Sequence, residues 1–260
     1  MSENKLYFKN QDGLMLCGIL SKPEAPTTKC ALLCHGLTGI GKAGEVFEEL
    51  APQLAAAGIA SFRFDFRAHG ESEGTYNDIT LSGEKRDIEA AAEFMRSMNY
   101  RTFGIVAASF AAGPVCLFMR ENPGVAKAVV FWNPVLEYRW VFESTLVWPR
   151  TNFGSEAMGR LRRQGYTEVG KYKLKIGQGF VNEMNWIRPL EFSQNFPSAA
   201  LFVHGDKDAT VPHDHSQRYI KFFKDSRLET VAGADHGFHD SLASSERAIA
   251  ITKTFLLEKL

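Results

Sequence analysis

Short runs of uninterrupted apolar residues, spaced by helix-like stretches, set the frame of this chain. Cys30-Ala31-Leu32-Leu33-Cys34 has no polar side chain on either alternate position. A strand with one wet face alternates apolar and polar residues, so a run without alternation is buried on both faces. Further strands are predicted at residues 59–64, 103–107, 126–131, 199–203 and 228–231. Helices are predicted between and after them, at 45–57, 82–98, 110–120, 214–223 and 241–257. In the second of these, Ile88, Ala91, Ala92 and Met95 stand at i, i+3, i+4 and i+7, one face of a helix. Gly58 stops the first. Strand–helix alternation of this kind packs as a mostly parallel sheet with helices on both faces. Near the N-terminus, residues 6–8 and 14–20 flank Asp12-Gly13, a hairpin signal, which adds an antiparallel edge. A loop over 21–29, with Pro23 and Pro26, leads into the first buried strand.

The alternation stops between Asn133-Pro134 and Pro197. Trp140, Trp148 and Trp186 lie inside this stretch and Trp132 at its edge, so it is rich enough in aromatic area to bury itself. Residues 135–190 hold nine basic and five acidic residues, a local charge of +4 in a chain whose 30 Lys+Arg balance 30 Asp+Glu. The reading is an α/β core of residues 1–134 and 197–260 with an inserted helical cap at 135–196. A length of 260 residues suits one domain with an insertion. Zero net charge supplies no global drive toward nucleic acid or an anionic membrane. No apolar run approaches the ~20 residues that cross a bilayer. Met1-Ser2-Glu3-Asn4-Lys5 lacks the basic and apolar regions of a signal peptide, so the expected location is cytoplasmic. Cys17, Cys30, Cys34 and Cys116 are too scattered for a disulfide framework, and none forms a Cys-x-x-Cys pair for zinc or dithiol chemistry.

Four segments carry possible chemistry. In Gly104-Ile105-Val106-Ala107-Ala108-Ser109-Phe110-Ala111-Ala112-Gly113 an apolar strand runs into a serine among small residues, and a helix follows. A nucleophile elbow needs this arrangement, because the turn crowds the residues two before and two after the serine. Alanine stands at both places, Ala107 and Ala111, where glycine is usual. A serine N-cap on an ordinary core helix fits the same residues. In Cys34-His35-Gly36-Leu37-Thr38-Gly39 the glycines let backbone N–H groups turn toward a ligand. The N–H groups of Leu37 and Phe110 are the expected pair for a developing oxyanion. A plain Gly-rich turn is the alternative. Gly39-Ile40-Gly41-Lys42 lacks the Ser/Thr and the upstream glycine of a phosphate loop. Asp206 and Asp208 follow a strand and so lie on the ligand-binding edge of an open sheet, and either could instead cap a loop. His236 and His239 follow the last strand. The chain order Ser109, Asp208, His236 is the triad order of this sheet type.

Five motifs in this order resemble those of the α/β-hydrolases, over essentially the whole chain. They are His35-Gly36, the turn Phe64-Asp65-Phe66-Arg67-Ala68-His69-Gly70-Glu71-Ser72, the serine segment, His204-Gly205-Asp206-Lys207-Asp208 with Val211-Pro212, and Gly233-Ala234-Asp235-His236-Gly237-Phe238. The resemblance implies an α/β-hydrolase fold. It selects Asp208 over Asp206 and His236 over His239, and it gives Arg67 and His69 a scaffolding role. It implies a serine hydrolase that cleaves a small or medium acyl ester through an acyl-enzyme, similar to capped carboxylesterases such as the feruloyl type. No metal or organic cofactor is implied. Trp140, Trp148 and Trp186 would line the substrate pocket or form the cap's own core. The alanine-flanked serine departs from the family pattern and resembles the elbow of some acyl-transferring thioesterases. With the basic cap, it keeps an acyl-thioesterase acting on acyl-CoA or acyl carrier protein as an alternative. A ligand-binding protein on a hydrolase fold, with little or no turnover, is a third reading.

Overall fold

The structure is a computed structural model and describes residues 1–38, 44, 46–192, 196 and 198–260. The chain opens with the hairpin β1 (Ser2–Lys9) and β2 (Met15–Lys22) and enters the core through β3 (Lys29–Cys34). Then follow α1 (Phe47–Ala56), β4 (Ala60–Phe64), α2 (Leu81–Ser97), β5 (Thr102–Ala108), α3 (Ala112–Glu121) and β6 (Ala126–Trp132). The next segment leaves the sheet as α4 (Arg139–Glu143), α5 (Val147–Phe153), α6 (Ser155–Gln164), β7 (Tyr166–Val169), β8 (Leu174–Gly177) and α7 (Gln178–Trp186). The chain returns as β9 (Ala199–Gly205), α8 (His213–Tyr219), β10 (Ser226–Val231) and α9 (Leu242–Lys259).

Eight strands form the main sheet in the order β1-β2-β4-β3-β5-β6-β9-β10. The six from β4 to β10 in that order are mutually parallel, and the β1–β2 hairpin joins β4 antiparallel. The uninterrupted apolar runs are explained by two buried faces. Leu32, Ile105, Ala107 and Phe131 point into one layer, shared with Ile88 and Met95 of α2 and Val115 and Phe118 of α3. Their neighbours Leu33, Val106, Ala108 and Val130 point into the other, shared with Leu50 and Leu54 of α1 and Phe255 and Leu256 of α9. Side-chain caps fix two helix starts. Thr80 Oγ1 accepts from Gly83 N (2.9 Å), and Ser241 Oγ accepts from Ser244 N (3.2 Å). β3 sits between β4 and β5, so the chain leaves it to one side and returns on the other. Such a reversal opens a crevice at the C-terminal ends of the strands. Leu37 follows β3 and Ser109 follows β5 there.

Two elements differ from the sequence reading. β1 starts at Ser2, four residues before the apolar run, with Ser2 paired to Lys22 and Glu3 to Ser21. These residues are exposed, and backbone bonds hold them, which a hydrophobic pattern does not register. The stretch expected to be helical contains the antiparallel ribbon β7–β8. Each strand has four residues, too short to show a period, and Gly170 makes the turn at φ +67°. Gly39-Ile40-Gly41-Lys42, Glu45 and Pro197 lie outside the described residues.

Candidate active site

Ser109 sits immediately after β5 with φ at +52°, in the left-handed region that costs a non-glycine residue energy. One 3₁₀ turn, Ser109–Ala111, then leads into α3. Ala107 and Ala111 are buried among core side chains, so only a small group fits on either side of the turn. Neighbours restrain the turn: Val135 N donates to Ser109 O (3.0 Å) and Tyr138 Oη to Phe110 O (2.7 Å). A Cβ on Gly113 would clash with Tyr138 Oη, so this glycine admits the tyrosine to the elbow.

The loops after β9 and β10 bring an acid and a base to the serine. His236 Nε2 lies 3.1 Å from Ser109 Oγ, and His236 Nδ1 lies 2.7 Å from Asp208 Oδ2. Asp208 Oδ1 accepts from the backbone N–H of Thr210 and Val211, both at 2.8 Å. Burial pushes the Asp208 carboxyl up, but hydrogen bonds from His204 and His236 outweigh it and hold the group well below the usual carboxylate range. An ionised Asp208 only accepts, so His236 Nδ1 carries a proton and Nε2 is left to accept from the serine hydroxyl. Asp206 does not join this chain: its Oδ1 accepts from Gly233 N (2.6 Å) and ties the two loops together. Exposed His239 donates its backbone N–H to Asp235 Oδ1 (3.0 Å). Gly205 completes the approach, because a Cβ there would meet the Ala234 carbonyl.

Both peptides flanking Leu37 are held by histidines. Phe66 N donates to His35 Nε2 (3.0 Å), which leaves the proton on Nδ1 to donate to Gly36 O (2.8 Å). The Gly36–Leu37 peptide is trans, so its N–H points away from that carbonyl. His69 Nε2 lies 2.9 Å from Leu37 O and its Nδ1 lies 3.0 Å from Arg67 O. Arg67 is itself fixed: its guanidinium meets Asp87 at 2.8 and 3.0 Å and Asp12 at 2.8 Å. Arg67 and His69 therefore support the backbone beside the serine and do not touch its hydroxyl.

The three tryptophans of the inserted segment divide. Phe110, the residue after Ser109, stacks among Tyr138, Trp148, Phe153 and Phe180 at centroid distances of 5.5–6.2 Å. Trp148 is thus one ring from the elbow. Trp140 packs on His215 (5.5 Å), whose Nε2 accepts from Leu136 N and whose pKa burial pushes down to about 3. Trp186 is 83% exposed at the end of α7. An indole in water walls no enclosed pocket, so the expectation that it lines one does not fit its placement. Glu183 of α7 accepts from Ser82 N (2.8 Å) and from Ser82 Oγ, and so anchors the inserted segment on the start of α2. The β7–β8 turn lies against Thr38, since a Cβ on Gly170 would meet its side chain at 2.7 Å.

Glu84, on the buried face of α2, is a residue the sequence reading passed over. Burial, then repulsion from Asp87, opposed by Arg67 and reinforced by Glu183, pushes its carboxyl up to about 8. Between roughly pH 5 and 8 the folded chain therefore keeps a proton here that the unfolded chain has released. The folded state binds more protons, so stability falls as pH rises through this window. Glu84→Gln, which cannot ionise, is expected to match wild type near pH 5 and to be more stable at pH 8, by up to about 4 kcal/mol. Urea unfolding at the two pH values checks this; equal pH slopes for both proteins would contradict it.

Among the described residues, no group of three His, Cys, Asp or Glu side chains could hold a metal ion, and no helix is long and apolar enough to cross a membrane. Comparison with known proteins places this geometry. The sequence profile of the Alpha/beta hydrolase family matches residues 31–250. "Serine hydrolase BPHL" of Mus musculus is 21% identical over 234 residues, covering 80% of this chain and 73% of that protein. The structure of Est1E from Butyrivibrio proteoclasticus with ferulic acid bound superposes with a TM-score of 0.82 at 22% identity, over 98% of each chain. The monoacylglycerol lipase of Paleococcus ferrophilus superposes with a TM-score of 0.72 at 15% identity, over the full length of both. With five-sixths of its length inside the family profile and the family's fold throughout, the chain belongs to the alpha/beta hydrolase family.

Proposed function

We propose that this alpha/beta hydrolase is a serine carboxylesterase for small or medium acyl esters. Ser109 is the nucleophile, His236 the general base, Asp208 the acid that orients it, and the N–H groups of Leu37 and Phe110 the oxyanion hole. The observation that carries the reading is the unbroken chain Ser109 Oγ–His236 Nε2 (3.1 Å) and His236 Nδ1–Asp208 Oδ2 (2.7 Å). Free serine is a weak nucleophile and needs a base within hydrogen-bond reach. In the proposed reaction His236 takes the hydroxyl proton as Ser109 Oγ bonds to the acyl carbon. Asp208 stabilises the imidazolium, and the two amides receive the oxyanion. Collapse breaks the ester C–O bond, and His236 returns the proton to the leaving alcohol. Water, deprotonated by His236, then releases the acid and frees Ser109. Residues 135–196 act as a cap, with Trp148 and Phe110 on the acyl side.

Support for an acyl-thioesterase comes from one specific placement. The β7–β8 turn rests on Thr38, beside Leu37, and exposed Lys171 and Lys173 flank Tyr172 on it. Positive charge beside the oxyanion loop would favour an anionic leaving group. The experiment is a rate panel of short to long acyl esters, a hydroxycinnamate ester and matched acyl thioesters, with Ser109→Ala as blank. An ester preference lost in the blank supports the esterase. A thioester preference that weakens with salt supports the alternative. Rates equal to the blank throughout would sink both and leave a ligand-binding role.

A further inference from the structure

We propose that His204 is a positioning residue that acts through Asp208 and tunes how strongly His236 holds its proton; the inference rests on the triad reading above. His204 is the penultimate residue of β9, and its side chain is fully buried. Its Nε2 faces two acceptors, Val211 O at 2.9 Å and Asp208 Oδ2 at 3.2 Å. An atom facing two acceptors must carry the proton. In the neutral ring Nδ1 then accepts from the buried hydroxyl of Ser216, 2.7 Å away. The fixed sequence of bonds is Ser216 Oγ–H to His204 Nδ1, His204 Nε2–H to Asp208 Oδ2, and His236 Nδ1–H to the same oxygen.

Two imidazoles thus donate to one carboxylate oxygen, while two backbone N–H groups saturate the other. The carboxylate has no freedom to rotate. The charge that Oδ2 offers to His236 is shared with His204. A hydrogen bond to a charged group stabilises the charge, and shared stabilisation weakens the pull on any one donor. His236 therefore releases its proton more readily than it would opposite a carboxylate with one imidazole donor. His213 and His215 on α8 also interact with His204, the His213 ring 5.4 Å away, and Asp206 and Asp214 act on His213 and Arg218 on His215. They are the same in every variant below, so differences between variants isolate His204.

The test is the pH dependence of kcat/KM on the preferred ester for wild type, His204→Leu, His204→Gln and Ser216→Ala. Fluorophosphonate labelling of Ser109 runs in parallel. Leucine removes the donor. Glutamine places an amide N–H near the position of Nε2. The acid limb of the leucine variant is expected to move to higher pH by about 0.5–1 unit, with kcat/KM down about tenfold or more. Glutamine should bring the limb back to the wild-type position. Ser216→Ala should move it in the same direction as leucine but less, and it carries the test alone if the leucine variant does not fold. A purely structural role would lower the amount of active protein and leave the limb in place. Labelled variants whose limbs all coincide with wild type would overturn this inference and leave the triad standing. Wild-type protein that no fluorophosphonate labels would remove the triad and this inference together.

Discussion

Ser109→Ala is expected to turn over the best ester about 10⁶-fold more slowly than wild type, as when the nucleophile of a comparable triad is removed. Without Oγ no atom lies 3.1 Å from His236 Nε2 to receive its help. The residual rate comes from binding and the oxyanion donors, which keep their places. Stability should change little. Alanine keeps the Cβ that Ser109 already carries at φ +52°, and the lost contact is one part-buried hydrogen bond, a net effect of about 1 kcal/mol or less. Single-turnover rates together with a thermal melt separate the two effects. Near-wild-type turnover by a folded alanine variant would exclude Ser109 as the nucleophile.

Asp208→Asn is expected to lower kcat by about 10⁴-fold with the fold intact. Asp208 accepts four hydrogen bonds: two from backbone N–H groups on Oδ1 and two from imidazoles on Oδ2. An amide supplies one acceptor oxygen and one donor NH₂ group. If the oxygen stays with Thr210 and Val211, the NH₂ faces both histidines. His236 must then present a bare Nδ1 and a protonated Nε2, the wrong tautomer to take the serine proton. If the amide turns over, two backbone N–H groups lose their acceptor instead. The second histidine makes the substitution worse here, because His204 Nε2–H keeps Val211 O as an acceptor but now also faces the donor NH₂ group. Steady-state rates at and above neutral pH check this; a loss below about tenfold would show that Asp208 does not orient the base.

The core of the fold was legible because both faces of the sheet are buried. The apolar runs at Cys30–Cys34 and around Val106 had to be strands of an interior sheet, and the sheet order puts them side by side. The place of Ser109 between a strand and a helix was legible as well, but a serine N-cap fits the same residues, and only the resemblance over five motifs favoured a nucleophile. The choice of Asp208 and His236 over Asp206 and His239 came from family resemblance. Local sequence does not show that Asp206 is used up on Gly233. His204 stood in the quoted motif without a role, because its partners Ser216 and Val211 meet it only after the chain folds back. Glu84 was invisible for a related reason: a glutamate on a helix reads as surface until its face is seen against Arg67 and Asp87. In the inserted segment aromatic content predicted self-burial, which Tyr138, Phe153 and Phe180 provide. It did not predict which tryptophan faces water: Trp148 lies near the start of α5 and packs on Phe110, whereas Trp186 is the last residue of α7 and is exposed.

The central proposal is that Ser109 is an activated nucleophile, and labelling tests it most directly. Wild-type protein is treated with a fluorophosphonate near neutral pH, and the adduct is located by peptide mass spectrometry. One adduct per chain is expected, on the peptide carrying Ser109, absent from Ser109→Ala and formed far more slowly in Asp208→Asn. No adduct, or an adduct on any other residue with Ser109 unmodified, would contradict the account.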